Sequence, residues 1–139
     1  MSIQFVLAPL FFQVLLVFLL LILMFKERRG ALVRGEVKSR DIALREPNWP
    51  KKATQAANCF SNQFETPVLF YVVTILALIT HTADLLFVLL SWLFVALRYI
   101  HAFIHTTANR VSHRGSVYGI TVLVLLGLWI ELAFKLYLP

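Results

Sequence analysis

One cysteine, five glycines and seven acidic residues are all that this 139-residue chain has of three residue types on which many soluble sites depend. A lone cysteine, Cys59, excludes an intrachain disulfide, and no Cys-x-x-Cys pair exists to carry redox or zinc chemistry. Cys59 reads as a small apolar helix residue, because nothing near it in sequence marks a catalytic pair. The glycines do not gather into a phosphate-cradling loop, and there is no serine nucleophile elbow. Internal repeats and low-complexity tracts are also missing. Charged residues amount to 14% of the chain, well under the ~25% of a soluble domain.

Apolar residues fill the gap. They make up 60% of the sequence, against ~45–50% in soluble domains, and the mean hydropathy is +0.79. The chain therefore reads as an integral membrane protein, with a single membrane domain over residues 1–139. A net charge of +6 raises the question of nucleic acid. The basic residues, however, cluster between apolar runs without aromatic interleaving or a binding motif, so nucleic acid is excluded as a partner and the positive-inside rule explains the charge.

Four apolar runs are long enough to cross a hydrocarbon core of about 30 Å, which takes roughly 20 helical residues. The first, residues 3–25, carries no charge. No basic stretch precedes it and no small-residue cleavage site follows, so it reads as a retained anchor rather than a signal peptide. A charged connector follows, in which Asp41 is a candidate N-cap for a short interfacial helix and Trp49 suits the membrane interface. The second span covers residues 56–80, with a kink expected at Pro67. Only a short turn around His81–Asp84 separates it from the third, 85–106, so these two form an antiparallel hairpin. The fourth span, 117–138, follows the polar loop Thr107–Ser116. The fold expected is all-α, a four-helix up-down bundle. Lys26, Arg28, Arg29, Arg34, Lys38, Arg40, Arg45, Lys51 and Lys52 in the first connector, with Arg110 and Arg114 in the third, put both connectors on the cytoplasmic side. Both termini then face away from it.

Two polar stripes interrupt the hairpin. Asn58, Asn62 and Glu65 follow helical spacing near the start of the second span, and Arg98, His101 and His105 do so near the end of the third. Ionisable groups at membrane depth are costly and face a protein interior or a wet cavity. Counted from the cytoplasmic boundary, Glu65 and Arg98 lie at one depth, about eight residues or roughly 12 Å down. Asn62 is then level with His101, and Asn58 with His105. The plainer reading of Glu65 and Arg98 is a buried ion pair that sets helix register. Two asparagines, two histidines, Arg114 and Tyr118 at the same end exceed what register needs. The other half of the bundle reads as uninterrupted and apolar. The His101/His105 pair could bind a metal, but no carboxylate or cysteine at fitting spacing completes a ligand set, so no metal is assigned. His81 and His113 fall in connectors and read as solvated.

Three segments carry a resemblance to a known family: Asn62-Gln-Phe-Glu65-Thr-Pro67-Val-Leu-Phe-Tyr71, Arg98-Tyr-Ile-His101 and Arg114-Gly-Ser-Val-Tyr118. The chain resembles the membrane-associated proteins in eicosanoid and glutathione metabolism, the MAPEG family, and in particular its small bacterial members. The likeness covers spans two to four, and span one agrees in kind. It implies a homotrimer of four-helix subunits in a bacterial inner membrane. Glutathione would bind as co-substrate between neighbouring subunits near the cytoplasmic side, and a lipophilic small molecule would enter from the membrane lipid. By position, Asn62, Glu65, Arg98, His101 and Tyr118 would contribute to the glutathione pocket, and Arg114 would be the catalytic arginine that stabilises the thiolate. Two positions depart from the family pattern. Asn58 stands where family enzymes often carry an arginine. His105 stands where they often carry a tyrosine, and it is counted with the glutathione-binding set.

The function expected is a glutathione-dependent transferase or peroxidase acting on lipophilic electrophiles or lipid hydroperoxides. A non-catalytic relative that binds a lipid or a partner is the alternative. A small channel or proton carrier fits less well, since the polar set occupies one half of the bundle.

Overall fold

The computed structural model describes residues 2–138, with Met1 and Pro139 outside the described residues. Helix α1 runs Ile3–Val33, about 46 Å at 1.5 Å per residue, and so outruns its apolar stretch. Beyond Phe25 the extension is mostly Lys, Glu, Arg, Ala and Leu, good helix formers that outweigh Gly30 and Val33. It stops where Gly35 takes φ +72° and the Glu36 N–H closes on the Ala31 carbonyl at 3.0 Å, a left-handed cap that favours glycine. A single 3-10 turn, Ser39–Asp41, interrupts the connector. Asp41 ends this turn instead of capping a helix, and its carbonyl accepts a hydrogen bond from the Asn48 side chain at 2.6 Å. The Arg28 guanidinium lies 5.0 Å from the Trp49 ring centre, which ties the connector back onto α1.

The second span is two helices, α2 (Lys51–Asn62) and α3 (Thr66–Ile79). Pro67 was expected to kink one helix; the structure breaks it instead. Proline has no N–H for the Gln63 carbonyl and its ring crowds that position. Residues 63–65 turn by shorter bonds, with the Gln63, Phe64 and Glu65 N–H groups reaching back three residues to Phe60, Ser61 and Asn62 at 3.0, 3.0 and 3.3 Å. Glu65 itself leaves helical geometry, at φ −95° and ψ −108°.

Helix α4 spans Leu85–Thr106 and α5 spans Val111–Tyr137, so the last helix begins within the polar loop that precedes the fourth apolar run. Helix α1 packs on α2, α3 and α4, while α5 packs on α3 and α4. The α2–α3 span and α4 thus form the middle of the bundle. Burial patterns agree. Helix α1 buries a narrow seam of Val6, Pro9, Gln13, Leu16 and Leu20, and α5 buries Thr121, Leu125, Leu128 and Leu132, both at alternating three- and four-residue steps. Helix α4 buries a broader face from Phe87 to His105. The Phe70 and Phe94 rings stack at 4.5 Å inside an apolar cluster with Val73, Ala77, Phe87 and Leu128. In lipid this cluster stabilises through packing and dispersion more than through removal from water. Large side chains such as Phe5, Phe11, Phe18 and Ile22 point outward, as suits a surface facing acyl chains.

Four helical spans are long and apolar enough to cross a membrane, and no strand occurs among the described residues. Ile3 and Val6 lie beside Ala77, Leu78 and His81, and Lys135 Nζ donates to the Thr82 carbonyl at 3.2 Å. The start of α1, the α3–α4 turn and the end of α5 therefore share one end of the bundle. That end is not uniformly apolar, contrary to the sequence expectation. Lys135 pairs with Asp84 at 2.7 Å and with Glu131 at 2.5 Å. Membrane protein interiors tolerate such charges when they pair.

Candidate functional site

The break at residues 63–65 builds one wall of a cleft of about 290 Å³ at the opposite end, lined by Asn62, Glu65, His101, His105, Arg114, Gly115 and Tyr118. Helix α2 supplies Asn62 at its last position, and the break supplies Glu65 just after it. His101 and His105 come from one face of α4, one turn apart. The first two turns of α5 supply Arg114, Gly115 and Tyr118. Gly115 has open space where a Cβ would stand.

Arg98 lies behind the cleft and is fully buried. Its Nη2 donates to Asn62 Oδ1 at 2.7 Å and to the Asn62 carbonyl at 3.4 Å. The Asn62 amide nitrogen donates in turn to Glu65 Oε2 at 2.8 Å. Glu65 and Arg98 thus make no direct ion pair, and Asn62 stands between them. The depth matching in the sequence is off by about one turn throughout. Asn62, not Glu65, meets Arg98. Gln55, not Asn58, reaches the His105 carbonyl, at 2.7 Å. The break takes Glu65 off the α2 stripe and turns it toward α5, where the Tyr118 hydroxyl donates to Glu65 Oε2 at 3.4 Å.

The remaining groups form a tier above this relay. The His101 ring sits 5.6 Å from that of His105 and 5.6 Å from that of Tyr118. Both imidazoles are buried, and the Nδ1 atoms of both have no hydrogen-bond partner within the protein. Arg114 Nη1 donates to Asn109 Oδ1 at 2.6 Å. Tyr118 and Arg114 are half-buried, and Glu65 is exposed. Asn58 is exposed on α2 and takes no part in the lining. The cleft accordingly is lined by one guanidinium, two imidazoles, an amide, a phenol and a carboxylate. That is a set suited to a polar ligand carrying both charges, with a cation available for an anionic centre.

Two features escaped the sequence reading. Gln13 of α1 donates through Nε2 to Gln63 Oε1 at 3.1 Å, both side chains buried, and Gln63 Nε2 bonds the Cys59 carbonyl at 3.1 Å. A glutamine inside an otherwise apolar run was the available signal. Asn109, in the loop before α5, offered no periodic signal at all.

No curated protein and no solved structure matches the chain. The model of the MAPEG family matches residues 6–134, which takes in most or all of each apolar span and every residue of the cleft, and on that match this integral membrane protein belongs to the MAPEG family.

Proposed function

We propose that the chain is a membrane-embedded, glutathione-dependent transferase or peroxidase that acts on lipophilic electrophiles or lipid hydroperoxides. The observation that carries this reading is the convergence of Asn62, Glu65, His101, His105, Arg114 and Tyr118 on one cleft at one end of the bundle. The donor set suits glutathione. Its two carboxylates call for cationic and N–H donors, its amine for a carboxylate such as Glu65, and its sulfur for a cation.

Within this reading Arg114 lowers the free energy of the thiolate over the thiol, because a neighbouring positive charge favours the ionised form. In conjugation the sulfur forms a bond to the electrophilic carbon as the leaving group departs with its electron pair. In peroxide reduction the sulfur attacks the outer oxygen and the O–O bond breaks. The alcohol leaves with a proton, and a second glutathione converts the sulfenic acid to disulfide and water. Asn62, held by Arg98, and Glu65 orient the ligand. Both termini on the non-cytoplasmic face of a bacterial inner membrane and assembly as a homotrimer belong to the same proposal, and the native mass of the detergent-solubilised protein tests the trimer.

Glutathione affinity and ultraviolet thiolate absorbance on the purified full chain test the chemistry. Arg114→Ala should lower thiolate formation and turnover by at least about tenfold while weakening binding less. Wild-type protein with no measurable affinity at millimolar glutathione would sink the enzyme reading. The non-catalytic lipid- or partner-binding alternative, which the absence of a basic residue at Asn58 favours, would then stand.

A further inference from the structure

Arg114 sits in a setting that its local structure does not favour. It is the fourth residue of α5, near the positive end of the helix dipole, where a cation is disfavoured. The start of α5 has no side-chain cap to offset this. Among the described residues no carboxylate pairs with Arg114; the hydrogen bond of its side chain goes to Asn109 Oδ1 at 2.6 Å. A guanidinium only donates, so the amide must present its oxygen and not its nitrogen.

Asn109 holds φ +49°, and its N–H closes the end of α4 on the Ile104 carbonyl at 2.8 Å. Glycine would meet that backbone demand with less strain than any L residue, and asparagine is among the few others that adopt it readily. What asparagine adds over glycine is the acceptor that reaches Arg114. The acceptor is neutral. An aspartate there would hold the guanidinium equally well but would cancel its charge.

We propose that Asn109 is a positioning residue. It fixes the Arg114 guanidinium at the cleft while leaving its full positive charge for an anionic sulfur. This inference rests on the glutathione reading above and assigns a role to a residue outside the cleft lining.

Two variants of the full chain in detergent test it. Asn109→Gly keeps the backbone conformation and removes the tether. Its thermal midpoint should match wild type, its kcat and thiolate absorbance should fall about tenfold, and its KM for glutathione should change less than about threefold. Asn109→Asp keeps the tether and adds a charge. It should bind glutathione about tenfold more weakly, since the compensated arginine attracts an anion less. If wild type binds and turns over glutathione and Asn109→Gly does the same at the wild-type rate, the positioning role is overturned and the glutathione reading stands. Loss of activity in Asn109→Gly that merely tracks a lowered thermal midpoint also overturns it, because the residue is then a loop stabiliser. Wild type without glutathione affinity overturns the reading and this inference together.

Discussion

Replacing Asn62 by leucine should be among the most damaging single changes in the bundle, and its cost can be worked from the contacts. Arg98 is fully buried, and its best hydrogen bond is to Asn62 Oδ1 at 2.7 Å, with the Asn62 carbonyl farther off at 3.4 Å. Its Nε and Nη1 have no partner within the protein. A hydrogen bond to a charged group contributes ~1.5–3 kcal/mol, and an arginine at mid-span costs ~2.5–3.5 kcal/mol on insertion scales. Asn62→Leu removes the strong bond and leaves the charge, for an expected loss of about 2–4 kcal/mol. Arg98→Met removes the charge and leaves one amide oxygen short of a partner, at about 1–2 kcal/mol. The double variant should resemble Arg98→Met alone, which makes the coupling between the two sites equal to the whole Asn62→Leu loss, about 2–4 kcal/mol. Glu65→Gln preserves an oxygen for the Asn62 amide and loses only charge acting through the relay, so its coupling to Arg98 should stay below about 1 kcal/mol. Reversible unfolding in mixed micelles, run as two double-mutant cycles, reads both numbers. Additivity of Asn62→Leu and Arg98→Met within about 0.5 kcal/mol would refute the relay. So would a Glu65–Arg98 coupling larger than the Asn62–Arg98 one, which would restore the direct ion pair.

Two further outcomes follow from the opposite end of the bundle. Asp84, in the turn between α3 and α4, accepts from Lys135 and from the Phe87 N–H, and these bonds hold its carboxyl pKa down from 3.8 to about 2. A depressed folded-state pKa gives stability that is present above pH 3.8 and lost as the pH falls through about 2. The side chain is 53% exposed, so screening should hold the effect to about 1 kcal/mol. Asn can still cap α4, so Asp84→Asn should flatten the acid limb of a stability–pH curve without melting the helix, and an unchanged limb would remove Asp84 from the account. As for orientation, reporter domains fused to either terminus should report the non-cytoplasmic side, because the connectors rich in Lys and Arg lie at the other end of the bundle. A cytoplasmic signal from either fusion contradicts the charge argument.

Much of this protein could be read without coordinates, for reasons that are local. Long uncharged runs can only be helices in lipid, where every backbone group must be satisfied within its own segment. The all-helical class and the four apolar helices follow from that. Helical periodicity put Asn62 and Glu65 near one end of the second span and His101 and His105 near the matching end of the next, and the three motifs pointed to the family. Composition, hydropathy and spacing along the chain determined those features. Contacts between segments needed the tertiary structure. Proline signals that a helix is disturbed, but whether it bends or breaks depends on the partners the surrounding fold offers, and here the Asn62 carbonyl accepts from both the Glu65 N–H and Arg98 while Glu65 reaches Tyr118. A one-turn change in register between antiparallel helices leaves each helix's own periodicity untouched. No pattern within either helix could therefore decide that Arg98 meets Asn62. Lys135 gathers Asp84 and Glu131 for a similar reason, since Asp84 lies far from it in sequence and is brought near only by the closure of α5 onto the α3–α4 turn. Asn109 depended on the fold in the same way: an asparagine in a loop becomes a partner for Arg114 only once the end of α4 and the start of α5 set the two side chains face to face.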